Sequence, residues 1–132
     1  MKKIGEVAQS LNISIDTLRY YEKIQLLENI KRTDKGIRLY SDTDIAKVQF
    51  IQQAQKMGFS LEEIGQLLHF RDCPQTAKPQ VRQLALEKLA AIKSHITELV
   101  TLRDELMTLT KQCQQSQGNC PILEKFESSK NQ

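Results

Sequence analysis

Apolar positions recur at helical spacing over most of the chain. Ile4, Val7, Ala8 and Leu11 share one face of a short helix over residues 4–11. Asn12-Ile13-Ser14 makes a turn, and Ser14 is a good N-cap for a second helix through Ile15, Leu18, Arg19, Tyr20, Tyr21 and Glu22. Asp16 in its first turn suits the helix dipole. Two short helices around a tight turn predict a helix-turn-helix at about 4–23. The period then changes. Ile30 to Arg32 and Ile37 to Tyr40 can pair as short strands around Thr33-Asp34-Lys35-Gly36, a hairpin wing. Ser41-Asp42 caps a helix through Ile45, Val48, Ile51 and Met57 that ends at Gly58. Ser60-Leu61-Glu62-Glu63 is a capping box opening a helix through Ile64, Leu67, Leu68 and Phe70. Residues 72–76 break that helix, and Pro79 suits the first turn of the next.

The next helix is the longest. Ala85, Ile92, Leu99 and Leu106 lie seven apart, with Leu89, Ile96, Leu102 and Leu109 beside them. No Gly or Pro interrupts residues 80–113. At 1.5 Å per residue such a helix spans about 50 Å. One narrow stripe of that length is not buried within a small monomer, which predicts a coiled-coil partner. An intramolecular helical hairpin is the alternative, but the sequence holds only one such helix. The seven-residue spacing carries the stripe on to Cys113.

With 132 residues, few Gly and Pro and no Trp, the chain is expected to be mostly α. The formal charge of +3 is by itself a weak pointer to a polyanion. No run approaches the ~18 apolar residues of a membrane span, and Met1 to Glu6 lacks the apolar core of a signal peptide. A cytoplasmic protein is expected, with no membrane partner. Three cysteines, an odd number, argue against a disulfide framework there. The sequence has no Gly-rich phosphate loop and no recognisable nucleophile–base set, so an enzyme is not expected.

Arg19, Arg32, Lys35 and Arg38 are charges suited to phosphates, and Tyr20, Tyr21 and Tyr40 interleave with them. The bland alternative stays open: Tyr20 or Tyr21 as core residues, the cations as solvated surface. At the far end, Cys113 and Cys120 bracket six residues, Gln114-Gln115-Ser116-Gln117-Gly118-Asn119. Two thiolates on a short segment can take a soft ion. They can equally be inert reduced thiols or a redox pair.

Thr17-Leu18-Arg19-Tyr20-Tyr21-Glu22, Leu26-Leu27, Arg32, Arg38-Leu39-Tyr40, Phe50-Ile51 and Gly58-Phe59-Ser60-Leu61-Glu62-Glu63-Ile64 follow in an order and spacing that resembles the MerR family of transcriptional regulators. The resemblance covers nearly the whole chain. It implies a winged helix-turn-helix head and a long antiparallel coiled-coil dimerisation helix. It also implies a homodimer on double-stranded promoter DNA that distorts the DNA on inducer binding and so lets RNA polymerase start, and that represses or stays poised without inducer. Carried over to this chain, Arg19 and Tyr21 match recognition-helix positions that meet DNA, and Arg38 and Tyr40 match contacts at the end of the wing. Arg32 and Lys35 lie on the wing, and Ser14, Asp16 and Thr17 lie where base contacts fall. Ile37 departs from the commoner Tyr and is expected to pack in its place.

Cys113, a short loop, then Cys120-Pro121-Ile122-Leu123 resembles the metal-sensing branch of that family. The implied inducer is a soft metal ion: cadmium, lead, zinc, mercury or copper(I). The six-residue gap is most similar to the cadmium and lead sensors, and the Cys-Pro-Ile ending also matches the copper sensors. Divalent-metal sensors place a third Cys near the start of the long helix, and here that position falls on Lys78; Cys73, five residues upstream, is the candidate substitute ligand. The expected organisation is a DNA-binding domain over 1–72, a dimerisation helix over 79–112 and a metal-binding loop and tail over 113–132. The alternative function is a thiol- or redox-responsive regulator of the same family that uses Cys113 and Cys120.

Overall fold

The computed structural model describes residues 1–72, 74–115 and 118–128. It is mostly helical, with one small antiparallel sheet, and divides into two compact units, residues 1–85 and residues 86 onward.

In the first unit, β1 (Lys2–Lys3) leads into α1 (Ile4–Ser10), and α2 (Ile15–Lys23) follows after a turn. Asn12 takes that turn at φ 54°, a left-handed conformation that Asn tolerates better than most residues. The Ile13 N–H donates to the Ala8 carbonyl at 2.9 Å, and the Gln52 side-chain amide donates to the Leu11 carbonyl at 2.8 Å, which ties the turn to α3 (Asp42–Lys56). Ser14 caps α2 through an N–H···O bond from Thr17 at 3.0 Å.

The wing pairs β2 (Lys31–Arg32) with β3 (Arg38–Tyr40), with Arg32 opposite Arg38. Its turn closes with the Gly36 N–H donating to the Thr33 carbonyl and the Thr33 N–H to the Ile37 carbonyl, both at 2.8 Å. Gly36 sits at φ 83°, where a side chain would be strained. β1 adds to the other edge of β3, with Lys2 opposite Tyr40 and Lys3 opposite Leu39, so the strand order is β1-β3-β2. Ile37 is 39% exposed and does not take the packing role expected for it.

α3 and α4 (Leu61–Arg71) both open with complete capping boxes, Ser41 with Asp44 and Ser60 with Glu63. Val7, Leu18, Leu27, Tyr40, Val48, Ile51 and Ile64 are fully buried and join α1, α2, the sheet, α3 and α4 in one core.

α5 runs from Pro74 to Gln115 and differs from expectation at both ends. It starts at Pro74, where a proline's missing N–H would have had no intrahelical partner anyway. Pro79 therefore lies inside the helix, at the cost of one bond in its second turn. At the other end the helix continues through Cys113, Gln114 and Gln115, so Cys113 stands on the last helical turn and not in a loop. In the second unit, Leu89, Ile92, Ile96, Leu99, Leu102 and Leu106 are all exposed. α6 (Pro121–Ser128) is an element the sequence reading lacks. It returns onto the end of α5, where Phe126 and Lys125 line a cleft with Leu102, Leu106 and Leu109, and Lys125 pairs with Glu105 at 3.3 Å. No described helix is long and apolar enough to cross a membrane.

Candidate nucleic-acid interface and thiol pair

The exposed face of α2 is built from its first turns. Ser14 and Thr17 share a hydroxyl–hydroxyl hydrogen bond of 2.6 Å at the helix start, both near solvent. Asp16 and Arg19 follow on the same surface, 3.7 Å apart and both largely exposed, and Tyr20 is 47% exposed. These five candidates therefore lie together on one element. The Asp16–Arg19 pair is solvent-screened and holds Arg19 only weakly, so the guanidinium can exchange its partner for a phosphate at little cost.

The wing candidates divide. Lys35 is exposed at the turn. Arg38 is largely covered, and its Nε donates to Glu22 at 2.6 Å; Arg32 approaches the other oxygen of the same carboxylate at 3.7 Å. One carboxylate from the end of α2 thus fixes Arg38, lies in looser reach of the half-exposed Arg32, and offsets part of their charge.

Two candidates must be corrected. Tyr21 is 3% exposed, and Tyr40 has no exposed surface. Both rings fill the core, so neither ring can stack on or reach a duplex from the surface. The Tyr21 hydroxyl donates to Gln55 Oε1 at 2.7 Å. The Tyr40 hydroxyl is buried without a hydrogen-bond partner among the described residues. Burial pushes both phenols above their ordinary pKa; for Tyr21 the bond to Gln55 opposes this, and for Tyr40 the nearby Glu22 carboxylate adds to it. Both stay neutral at physiological pH. The alternation of Tyr20 and Tyr21 across the α2 surface was the available signal: Tyr21 follows Leu18 by three residues on the buried face.

The second constellation is the thiol pair. Cys113 on the last turn of α5 is exposed, and Cys120 just before α6 is partly covered; both are free thiols. Cys120 occupies the N-cap position of α6: its carbonyl accepts from the Glu124 N–H at 3.0 Å, and Pro121 takes the first helical position. Backbone N–H groups of Leu123 and then Ile122 donate to the Cys120 sulfur and hold its pKa below the ordinary thiol value. The two thiols are hydrogen-bonded to each other, which raises the Cys113 pKa, and the negative sulfur of Cys120 raises it further. The arrangement is a thiol at a helix N-terminus, its pKa lowered, with a second thiol beside it whose pKa is raised.

Two adjacent soft donors near the surface fit a thiophilic metal ion. Among the described residues no group of three His, Cys, Asp or Glu side chains could hold a metal. The expected role of Cys73 lies outside the described residues. Lys78 lies in the first unit, beside an apolar cleft lined by Phe50, Leu67, Phe70 and Val81. α6 and its capping of Cys120 were missed from sequence, although Pro121 at N1 followed by Ile122, Leu123 and Phe126 on one face carried the signal.

Comparison with known proteins gives the same frame. Residues 2–70 match the family model of MerR HTH family regulatory proteins, and residues 45–109 match that described as MerR, DNA binding. The chain is 37% identical over 131 residues to the HTH-type transcriptional regulator ZntR of Escherichia coli (strain K12), covering 96% of this chain and 93% of that protein. It is similar to the crystal structure of the transcription regulator PbrR691 from Ralstonia metallidurans CH34 in complex with lead(II), at 30% identity and a TM-score of 0.77, covering 96% and 99% of the two chains. HiNmlR, a MerR family regulator lacking the sensor domain and bound to promoter DNA, matches at 25% identity and a TM-score of 0.65, with 83% of each chain covered. With a helix-turn-helix, a wing and a long helix in the same order, the chain belongs to the MerR family and is a DNA-binding transcriptional regulator, not an enzyme.

Proposed function

We propose that this regulator is a cytoplasmic homodimer that responds to a thiophilic metal ion through Cys113 and Cys120. The observation that carries this reading is the placement of two free thiols, one exposed on the last turn of α5 and one partly covered at the start of α6. Backbone donors lower the Cys120 pKa, so that thiol gives up its proton more readily than Cys113. Cys113 and Cys120 would hold a soft ion between them as thiolates, and an ion held there would tie the end of α5 to the start of α6. The lead(II) complex of PbrR691 supports a metal as the ligand class. The two thiols of one described chain are compatible with a two-coordinate ion. A higher-coordinate ion requires Cys73, a partner subunit or solvent to complete its shell.

In the proposed dimer a second copy covers the exposed stripe of Leu89, Ile92, Ile96, Leu99 and Leu106. The two heads meet successive turns of promoter DNA through Ser14, Asp16, Thr17, Arg19 and Tyr20 of α2, with Lys35, Arg32 and Arg38 of the wing on the phosphate backbone. Arg38, and with it Glu22, positions the wing more than it reaches outward. The HiNmlR complex supports promoter DNA as the partner. Without inducer the dimer represses or holds the promoter poised; with inducer it distorts the DNA so that RNA polymerase can start. Bending and untwisting such a site costs several kcal/mol. The inducer can supply this only through a higher affinity for the distorting state of the dimer than for the poised one.

The test is competitive metal titration of reduced protein with cadmium, lead, zinc, mercury and copper(I) ions. At least one ion should bind wild type well above its affinity for Cys113→Ser/Cys120→Ser. Equal affinity in the two proteins would refute the site. The hydrogen bond between the thiols also favours a second reading, a Cys113–Cys120 disulfide formed under oxidant. Mass spectrometry of oxidised protein would detect it as a loss of two hydrogens, and activation without metal would then select that reading.

A further inference from the structure

The small sheet carries more cationic side chains than the wing alone. Successive residues of a strand face opposite sides, and cross-strand partners share a side. Tyr40 is in the core, so Lys2, Arg38 and Arg32 lie on its side of the sheet by register, and Lys3, Leu39 and Lys31 on the other. Arg32 and Arg38 are engaged by Glu22. Lys3 and Lys31 are exposed and form no ion pair among the described residues. By register they flank Leu39, which is half-buried and outside the core cluster. With neighbouring strands ~4.8 Å apart, the two lysines start roughly 10 Å from each other across β3. The outer face of the sheet therefore carries two unpaired cations from its two edge strands, whereas on the other face Arg32 and Arg38 share the Glu22 carboxylate and Lys2 alone is unpaired among the described residues.

We propose that Lys3 and Lys31, paired across Leu39 on the outer face of the three-stranded sheet, are phosphate-contacting residues of the DNA interface. This rests on the DNA-binding reading of the head and extends it from the wing turn to β1, a strand at the very start of the chain. The pair grips the backbone without reading sequence, because an ammonium on a flexible stem is a point charge with no base-specific geometry.

Counterion release gives the measurement. Each phosphate neutralised on B-DNA contributes about 0.9 to the slope of log K against log salt. Fluorescence anisotropy of a labelled random-sequence duplex with the full-length reduced protein, over a range of salt, reads that slope directly. Lys3→Ala/Lys31→Ala should lower it by about 1.8 per bound chain. Lys3→Gln/Lys31→Gln, which removes the charge but keeps most of each side chain, should lower it equally. Lys2→Ala removes the same charge from the opposite face and should leave the slope at the wild-type value. Circular dichroism establishes that each variant is folded. A wild-type slope in both double variants, or a fall in Lys2→Ala as large as in Lys3→Ala, would overturn the proposal while leaving the head's DNA binding intact. If the wild type shows no salt-dependent binding, the DNA-binding reading fails, and this one with it.

Discussion

Tyr40 separates packing from recognition at the level of one atom. Its ring is fully buried and its hydroxyl has no partner among the described residues, so the native state carries an unmet hydrogen-bonding group. An unsatisfied buried hydroxyl costs about 1–3 kcal/mol relative to its hydrated form. Tyr40→Phe should therefore leave stability unchanged or raise it by up to about 1 kcal/mol in urea denaturation, with no loss of DNA affinity. A clear loss of affinity with stability intact would restore Tyr40 as a contact residue. The thiols give a second test at this scale. The Leu123 and Ile122 N–H groups lower the Cys120 pKa, and donation from the Cys113 thiol to the Cys120 sulfur raises that of Cys113, so the thiolate of Cys120 forms at the lower pH. Alkylation follows the thiolate. In metal-free protein the midpoint pH of alkylation should be lower for Cys120 than for Cys113. In Cys120→Ser the Cys113 midpoint should fall back toward the ordinary thiol value, and in Cys113→Ser the Cys120 midpoint should stay low because its backbone donors remain. The reverse order of midpoints would contradict the described geometry.

Among the elements, those with a cap and a full helical period were legible. Ser14 and Ser60 were identified as caps from the residues alone, and Thr33 to Gly36 as the wing turn. β1 was not, because two residues carry no period and Lys2–Lys3 pairs only through its backbone with a strand nearly forty positions later. The start of α5 was misplaced by the presence of two prolines. Either Pro74 or Pro79 suits a first turn, and the helix uses the earlier one and accommodates the later. The end of α5 was misplaced because Cys113 was assigned to the loop by its chemistry, whereas nothing in Cys113-Gln114-Gln115 breaks a helix before Gly118. In the candidate site, the placing of Ser14, Asp16, Thr17, Arg19 and Tyr20 on α2 was legible, and so was a core reading of Tyr21, which shares a helix face with Leu18; the burial of Tyr40 was not, because an aromatic at the end of a short strand fits a core and an interface equally well. The α5 stripe makes its own prediction. Leu99 is 50% exposed and lies midway along the repeat. Leu99→Arg would place a charge in the seam between two copies, where it has no partner. Sedimentation equilibrium should show a dimer for wild type and a monomer for this variant. A dimeric variant of unchanged affinity would place the dimer contact elsewhere.

For the whole molecule, the proposed recognition and sensing sites fall in different units, the first holding the helix-turn-helix and wing and the second holding both described cysteines. α5 is the element that belongs to both, from Pro74 to Gln115. Coupling between them has to be a free-energy difference between two states of the dimer, and it is reciprocal: an inducer that favours the distorting state on DNA binds more tightly when the DNA is already distorted. Family membership makes the protein a DNA-binding regulator, and in the proposed account the thiol pair supplies a chemistry that can bias it. The most direct measurement is in vitro transcription from a promoter the protein binds, with reduced wild type and Cys113→Ser, before and after adding the ion that titration selects. The account predicts that wild type activates with metal, that Cys113→Ser binds the same DNA with wild-type affinity, and that its transcription does not change with metal. Activation of Cys113→Ser by the same ion at the same concentration would contradict it.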